Sequence, residues 1–270
     1  MHEKGEILTN NFKILTLSIL IIIVSNTIAM ASGPFGPPQT VSKEAGGLNT
    51  AIGYFYSEDT FKNDNAHILK QNSIYSQVAY GGNNIWEIYG RIGVADLKIS
   101  DAFSSTDALT TTSKLDFAEN WKFFGTLGAK GFYPISKIFG VGAFIQGTYH
   151  FSNYTDSVSG SAGAGGVPYI ADLKIKNLWD INFGMGLQIT APLAIKLYAG
   201  PYAYYAEAKA SLDSNIPGIE YAAENVSIQN KSIVGGFGGV DIPLFKGFHV
   251  NIEGRYAERF SAGVAISYTY

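Results

Sequence analysis

Cysteine is absent from the 270-residue chain. That excludes a disulfide framework, Cys-ligated zinc, a thiol nucleophile and lipid attachment through sulfur. Charge is scarce as well: Asp, Glu, Lys and Arg make up 15% of the residues, against roughly 25% in ordinary soluble domains. A net charge of -3 offers no basic footprint, so no nucleic-acid partner is expected. The histidines His2, His67, His150 and His249 are not spaced with other ligand types as metal sites require, so no metal and no other cofactor is expected. Beyond residue 31 no stretch approaches the ~18 consecutive apolar residues of a membrane-crossing helix. Gly160 to Gly166 lacks the GKS/T and the strand-turn-helix setting of a phosphate cradle and reads as a surface loop.

What the chain has instead is glycine (31), tyrosine (17) and phenylalanine (17). It opens with Lys4 and Lys13 ahead of the apolar run Ile14 to Val24, then small residues at Ala29 and Ala31. This is the pattern of a secretory signal peptide, expected to be cut after Ala31. Ser32-Gly33-Pro34-Phe35-Gly36-Pro37-Pro38-Gln39 can neither pair in a sheet nor wind into a helix, because proline lacks the N-H. Residues 32–46 are therefore expected to form a periplasmic leader, and residues 47–270 the folded domain.

From Leu48 onward the dominant signal has period two, which turns successive side chains to opposite faces of a strand. At the C-terminus Phe260, Ala262, Val264, Ile266, Tyr268 and Tyr270 interleave with Ser261, Gly263, Ala265, Ser267 and Thr269. Similar alternation predicts strands at Leu48 to Glu58, Gln71 to Tyr80, Trp86 to Val94, Trp121 to Phe132, Val141 to Phe151, Trp179 to Ile189, Leu193 to about Ala208, Ile228 to Ile242 and Phe248 to Tyr256, ten in all. Short turns rich in Gly and Pro alternate with long polar loops expected at Asp59 to Lys70, Leu97 to Asn120, Asn153 to Ala171 and Lys209 to Ser227. The fold class that follows is all-β: a closed antiparallel up-and-down transmembrane β-barrel of about ten strands, with eight or twelve as alternatives.

The faces fix which side meets lipid. One is apolar and aromatic; the other carries Gly, Ser, Thr, Asn, Gln and the charges Glu87, Arg91, Lys122, Lys130, Asp180, Lys196, Glu253 and Arg255. An Arg or Lys on the lipid face near the midplane costs about 2 to 4 kcal/mol, so turning the strands of Arg91, Lys130, Lys196 and Arg255 outward would exceed the stability of a typical fold. These residues are expected to form a lumen network, or to line a narrow pathway, and the sheet must close because lipid satisfies no strand edge. Aromatic girdles are expected from Tyr80, Trp86, Phe248 and Tyr270 on the short-turn side and Trp121, Trp179, Tyr205, Tyr256 and Phe260 on the loop side. Pro201 should force a bulge or a strand end near Gly200. Val234, Val240 and Ile242 should face outward, leaving Asp241 inside.

With these features the chain resembles the small outer membrane β-barrel proteins of Gram-negative bacteria. Its last strand is similar to their C-terminal assembly signal at Ser261, Gly263, Ile266, Tyr268 and Tyr270, though Ile266 stands where an aromatic is commoner. The resemblance implies export, folding by the outer membrane assembly machinery with periplasmic chaperones, and residence among outer membrane lipids. It implies no activity. The function expected is a non-enzymatic barrel with long extracellular loops for contact with an unnamed ligand and at most a narrow pore. A small-solute channel is one alternative. The other is a lipid A-modifying hydrolase, because His150-Phe151-Ser152-Asn153 resembles the catalytic strand of outer membrane lipid A deacylases, with His150 as base and Ser152 as nucleophile. The orienting acid of that triad is missing, and Asp156 would have to substitute. The barrel size also resembles the ten-stranded outer membrane proteases, but the D-x-D and D-x-H pairs of that chemistry are absent.

Overall fold

A strand crosses a bilayer with about 9 to 11 tilted residues, and several strands here are far longer. The computed structural model describes residues 33–39, 45–62, 66–82, 85–104, 111–162, 167–216, 219–230 and 233–270. The expected signal peptide, residues 1–31, lies outside them. In chain order the strands are β1 (Ala45–Lys62), β2 (Ala66–Gly82), β3 (Trp86–Ile99), β4 (Thr111–Thr112), β5 (Phe117–Pro134), β6 (Phe139–His150), β7 (Tyr154–Ala162), β8 (Val167–Thr190), β9 (Lys196–Ile216), β10 (Ile219–Asn230), β11 (Val234–Pro243), β12 (Phe248–Tyr256) and β13 (Phe260–Thr269).

Ten of these form a closed antiparallel barrel in the order β1-β2-β3-β5-β6-β8-β9-β11-β12-β13. The last strand returns to the first, from Asn49 opposite Thr269 to Tyr56 opposite Ala262, so no ladder edge faces lipid. The outer wall is apolar: Ile52, Ile92 and Leu127 are 66%, 69% and 77% exposed, whereas Glu87, Arg91 and Arg255 are buried. The girdles stand where expected, with Tyr80 against Trp86 and Phe248 against Tyr268 on one rim and Trp179 against Tyr205 on the other. Val234 is exposed and Asp241 buried, as the alternation predicts.

Three expectations need correction. The long polar stretches are largely strand rather than loop. β8 and β9 run to 24 and 21 residues, and β4, β7 and β10 add strands found only on the loop side. β7 pairs with Val167 to Ile175 of β8. β10 pairs with the upper part of β9 and also reaches β1 at Phe61 opposite Asn230. Second, the predicted strand Ile228 to Ile242 is two strands, because β10 ends at Asn230 and β11 begins at Val234. Third, Pro201 sits within β9 without a bulge. Its ladder with β8 lapses between the Gly184–Tyr202 and Leu187–Ala199 pairs with no change of register. A missing donor is thus absorbed locally, and Pro201 turns its ring to the outer wall.

Above the girdle the extended strands enclose a second interior of opposite character. Leu69, Leu97, Ile99, Phe103, Phe117, Tyr154, Val158, Ala171, Ile175, Leu178, Ala206 and Ala208 form one buried apolar cluster. The seam between β5 and β7 is joined by side chains: Asp156 Oδ2 accepts from the Ala118 N-H at 2.8 Å, and Glu119 Oε2 from the Thr155 N-H at 3.1 Å. The loop side of the molecule is therefore a folded β-head with its own core.

Candidate functional site

The polar residues of the barrel strands alternate inward, so their burial follows from the apolar wall outside them. A charge enclosed this way must be paired or hydrogen-bonded. Glu87 of β3 and Lys130 of β5 are directly opposed in register, with Lys130 Nζ 4.0 Å from Glu87 Oε1. Arg91 donates to Gln77 Oε1 at 2.7 Å. Its guanidinium lies 4.9 and 4.8 Å from the ring centres of Tyr75 and Tyr89. Tyr89 in turn donates to Gln146 Oε1 at 2.7 Å.

Across the lumen Lys196 and His249 both approach Asp241 Oδ2, at 3.9 and 3.1 Å. Arg255 Nε donates to Glu253 Oε1 at 2.9 Å, both side chains on one face of β12. Tyr198 donates to Glu253 Oε2 at 3.0 Å and receives Asn251 Nδ2 at 2.7 Å.

Most of the expected network is thus brought together: Glu87, Arg91, Lys130, Lys196, Glu253 and Arg255. Asp180 also faces inward and accepts from the amide of Asn182. Lys122 does not join it. It keeps the barrel register opposite Ala95 but stands at the loop rim, partly exposed and 3.7 Å from Glu119, which lies across the bulge just beyond it on the same strand. Sequence reasoning missed Tyr75, Tyr89, Tyr198 and His249 as members. Their inward parity was the available signal.

The lumen holds one more occupant. Residues 33–39, expected as a periplasmic leader, lie inside the barrel, with Phe35 fully buried. Both oxygens of Glu253 receive main-chain donors from this segment, the Phe35 N-H at 2.7 Å and the Gly36 N-H at 2.8 Å. The carbonyl of Pro34 accepts from Arg91 at 2.6 Å, and that of Gly33 accepts from Arg255. Near the short-turn rim Gln39 and Gln188 exchange bonds of 3.0 Å each. A segment unable to join a ladder still needs partners for its backbone, and the carboxylate and guanidinium groups of the wall supply them. The correction therefore concerns location: the segment makes no sheet or helix, but it is seated.

His150 is buried at the upper end of β6, where its Nδ1 lies 2.9 Å from Tyr154 Oη and its ring 5.6 Å from that of Phe124. Ser152 is exposed in the bend that follows. Among the described residues no hydrogen bond links the two, and Asp156 is engaged by Lys114 and by the backbone of β5. Ser261 and Gly263 line the interior while Ile266 and Tyr270 are exposed on the outer wall, all on the strand that closes the barrel.

No family model matches the chain, and no curated protein matches it. Among solved structures it is similar to the translocator domain of the autotransporter NalP from Neisseria meningitidis, at 12% identity, covering 84% of this chain and 89% of that one, with a TM-score of 0.47. It is also similar to the outer membrane protease OmpT from Escherichia coli, at 10% identity, 86% and 100% coverage and a TM-score of 0.47. The attachment invasion locus protein Ail of Yersinia pestis matches at 12% identity, 84% and 99% coverage and a TM-score of 0.32. Likeness at that level assigns this chain no activity, ligand or partner. With an apolar wall ringed by two aromatic girdles, a charged interior and a sheet that closes on itself, the chain is a ten-stranded transmembrane β-barrel.

Proposed function

We propose that this barrel is a non-enzymatic, essentially closed outer membrane protein whose β-head presents a rigid extracellular surface to an interaction partner. One observation carries the reading: the interior is filled at both levels. Residues 33–39 and the ion pairs occupy the lumen below, and the apolar cluster around Leu97, Phe117 and Tyr154 occupies it above. Ten strands enclose little more room than eight, whose interior side chains alone fill it, so the filling leaves no wide aqueous path. Export through residues 1–31, with cleavage after Ala31, and delivery by chaperones and the assembly machinery through the β13 signal belong to the same reading.

The head differs from flexible loops in what it can recognise. Its strands are tied by ladders and by the Asp156 and Glu119 clasps, so a partner binding there loses little free energy to ordering the surface. Planar bilayer recording of the refolded protein tests the closed state. Membranes that stay free of discrete conductance steps support it, and reproducible steps overturn it in favour of a solute channel. Mass spectrometry of lipid A from cells expressing wild type or Ser152→Ala is expected to give identical acylation. A difference would restore the hydrolase reading.

A further inference from the structure

The seat of residues 33–39 has the features of a recognition site rather than of incidental packing. The wall reads the segment mainly through its backbone. The Glu253 carboxylate takes two successive N-H groups, and Arg255 and Arg91 take two successive carbonyls. One side chain is read as well. The Phe35 ring lies 4.0 Å from Phe144, 5.2 Å from Tyr202 and 5.3 Å from Phe237, beneath the Arg255 guanidinium at 3.3 Å. The wall is also hollowed where the segment is bulkiest. A Cβ at Gly263 would stand 3.0 Å from the Pro34 ring, and Cβ atoms at Gly142 and Gly186 would stand 2.8 and 3.0 Å from Pro38. Gly36 itself adopts φ of 74°, and a Cβ there would meet Lys130 Nζ at 2.9 Å. Main-chain bonds for affinity with a pocket for one side chain is how protein sites take extended peptides.

We propose that the short-turn half of the lumen is a peptide-binding site, specific for an extended Pro/Gly segment carrying one aromatic side chain, and that residues 33–39 are its resident, exchangeable ligand. Among the described residues, none of 33–39 joins the barrel ladder, and a cavity of about 40 Å³ beside them, bordered by Glu87, Lys130 and Asp241, leaves the fit incomplete. The trans ligand must arrive from the short-turn rim, the periplasmic side of such a barrel, because the apolar head core closes the other end. A tether of this length holds the cis segment at roughly millimolar effective concentration, so the intact chain excludes competing peptides present well below that level. This site faces away from the head, and its test is independent of the surface reading above.

The cysteine-free chain allows a clean probe. In the refolded intact barrel, Pro37→Cys is expected to react with a water-soluble maleimide more than about tenfold slower than Lys137→Cys in the exposed turn. A barrel lacking residues 33–39, and separately the full-length Phe35→Ala variant should the deletion fail to fold, are expected to bind the synthetic peptide Gly-Pro-Phe-Gly-Pro-Pro-Gln at concentrations where the intact chain does not. Adding Glu253→Gln to either is expected to weaken that binding by about tenfold or more, as for loss of charge-assisted hydrogen bonds. Heat-modifiable migration verifies folding in each case. Equal labelling of Pro37→Cys and Lys137→Cys, absence of peptide binding by the folded variants, or binding undiminished by Glu253→Gln each overturns the proposal.

Discussion

The molecule has two interiors that obey opposite rules along the same strands. In β3 the residues facing inward below the girdle are Glu87, Tyr89 and Arg91, while Ile88 and Ile92 face out. A few positions on, the inward residues are Ala95, Leu97 and Ile99, and Lys98 faces out. In β8 the change falls at the bulge between Lys176 and Trp179: Asn182 faces in below it, Ile175 and Ala171 above it. In β3 the pleat is continuous and in β8 it slips by one residue at the bulge; in both, what reverses is the solvent. Where the outside is lipid, apolar residues are cheapest on the outer wall and the polar ones must satisfy each other within. Where the outside is water, the hydrophobic effect again places them inside. A single barrel therefore contains a membrane protein's wall and a soluble protein's core, with the aromatic girdle as the boundary.

Substitutions that obey one rule and violate the other separate the two regions. The largest effect is expected from Phe117→Asp, which buries a charge without a partner in the head core. Replacing such a ring by alanine already costs about 3 to 5 kcal/mol, and the carboxylate adds to that. Limited trypsin digestion should then cut at Lys98 or Lys114 while the ten-stranded wall keeps its heat-modifiable migration. Next comes Arg255→Met. This removes one partner of a buried pair and leaves the Glu253 charge without its cation, at an expected cost of about 3 to 5 kcal/mol, measured as a lower urea midpoint in lipid vesicles. Leu127→Arg, on the lipid face, should cost about 2 to 4 kcal/mol by the same titration. Smallest is Glu58→Gln on the wet surface of the head. There Lys70 and Arg259 lie 3.9 and 3.7 Å from the carboxylate and are partly exposed, so the change should stay within about 1 kcal/mol.

The lower half was legible in the sequence because a lipid-facing strand leaves a one-sided signature. Apolar and aromatic side chains on alternate positions gave the strands, the girdles and the inward placement of Arg91, Lys130, Lys196 and Arg255. The head was not legible as structure. Lys174 and Lys176 interleave with Leu173 and Ile175 there, and this composition reads as polar loop when strands are sought by an apolar lipid face. The seat of the leader was hidden for a different reason. Glu253 lies 218 residues from Phe35, and nothing local in Gly-Pro-Phe-Gly announces a carboxylate partner. Lys122 was misjudged because alternation tells which way a side chain turns but not its height: it stands at the loop rim, where Glu119 and water replace lumen partners.

The direction in which the leader runs carries a consequence for biogenesis. Gln39 sits at the rim and Gly33 reaches deepest, beside Arg255 and beneath the packed rings of the head, so the segment goes in tip first. Its deep end is held at once by Arg255 of β12 and Arg91 of β3, strands far apart in the sheet order, so the seat is complete only after the barrel has closed around it.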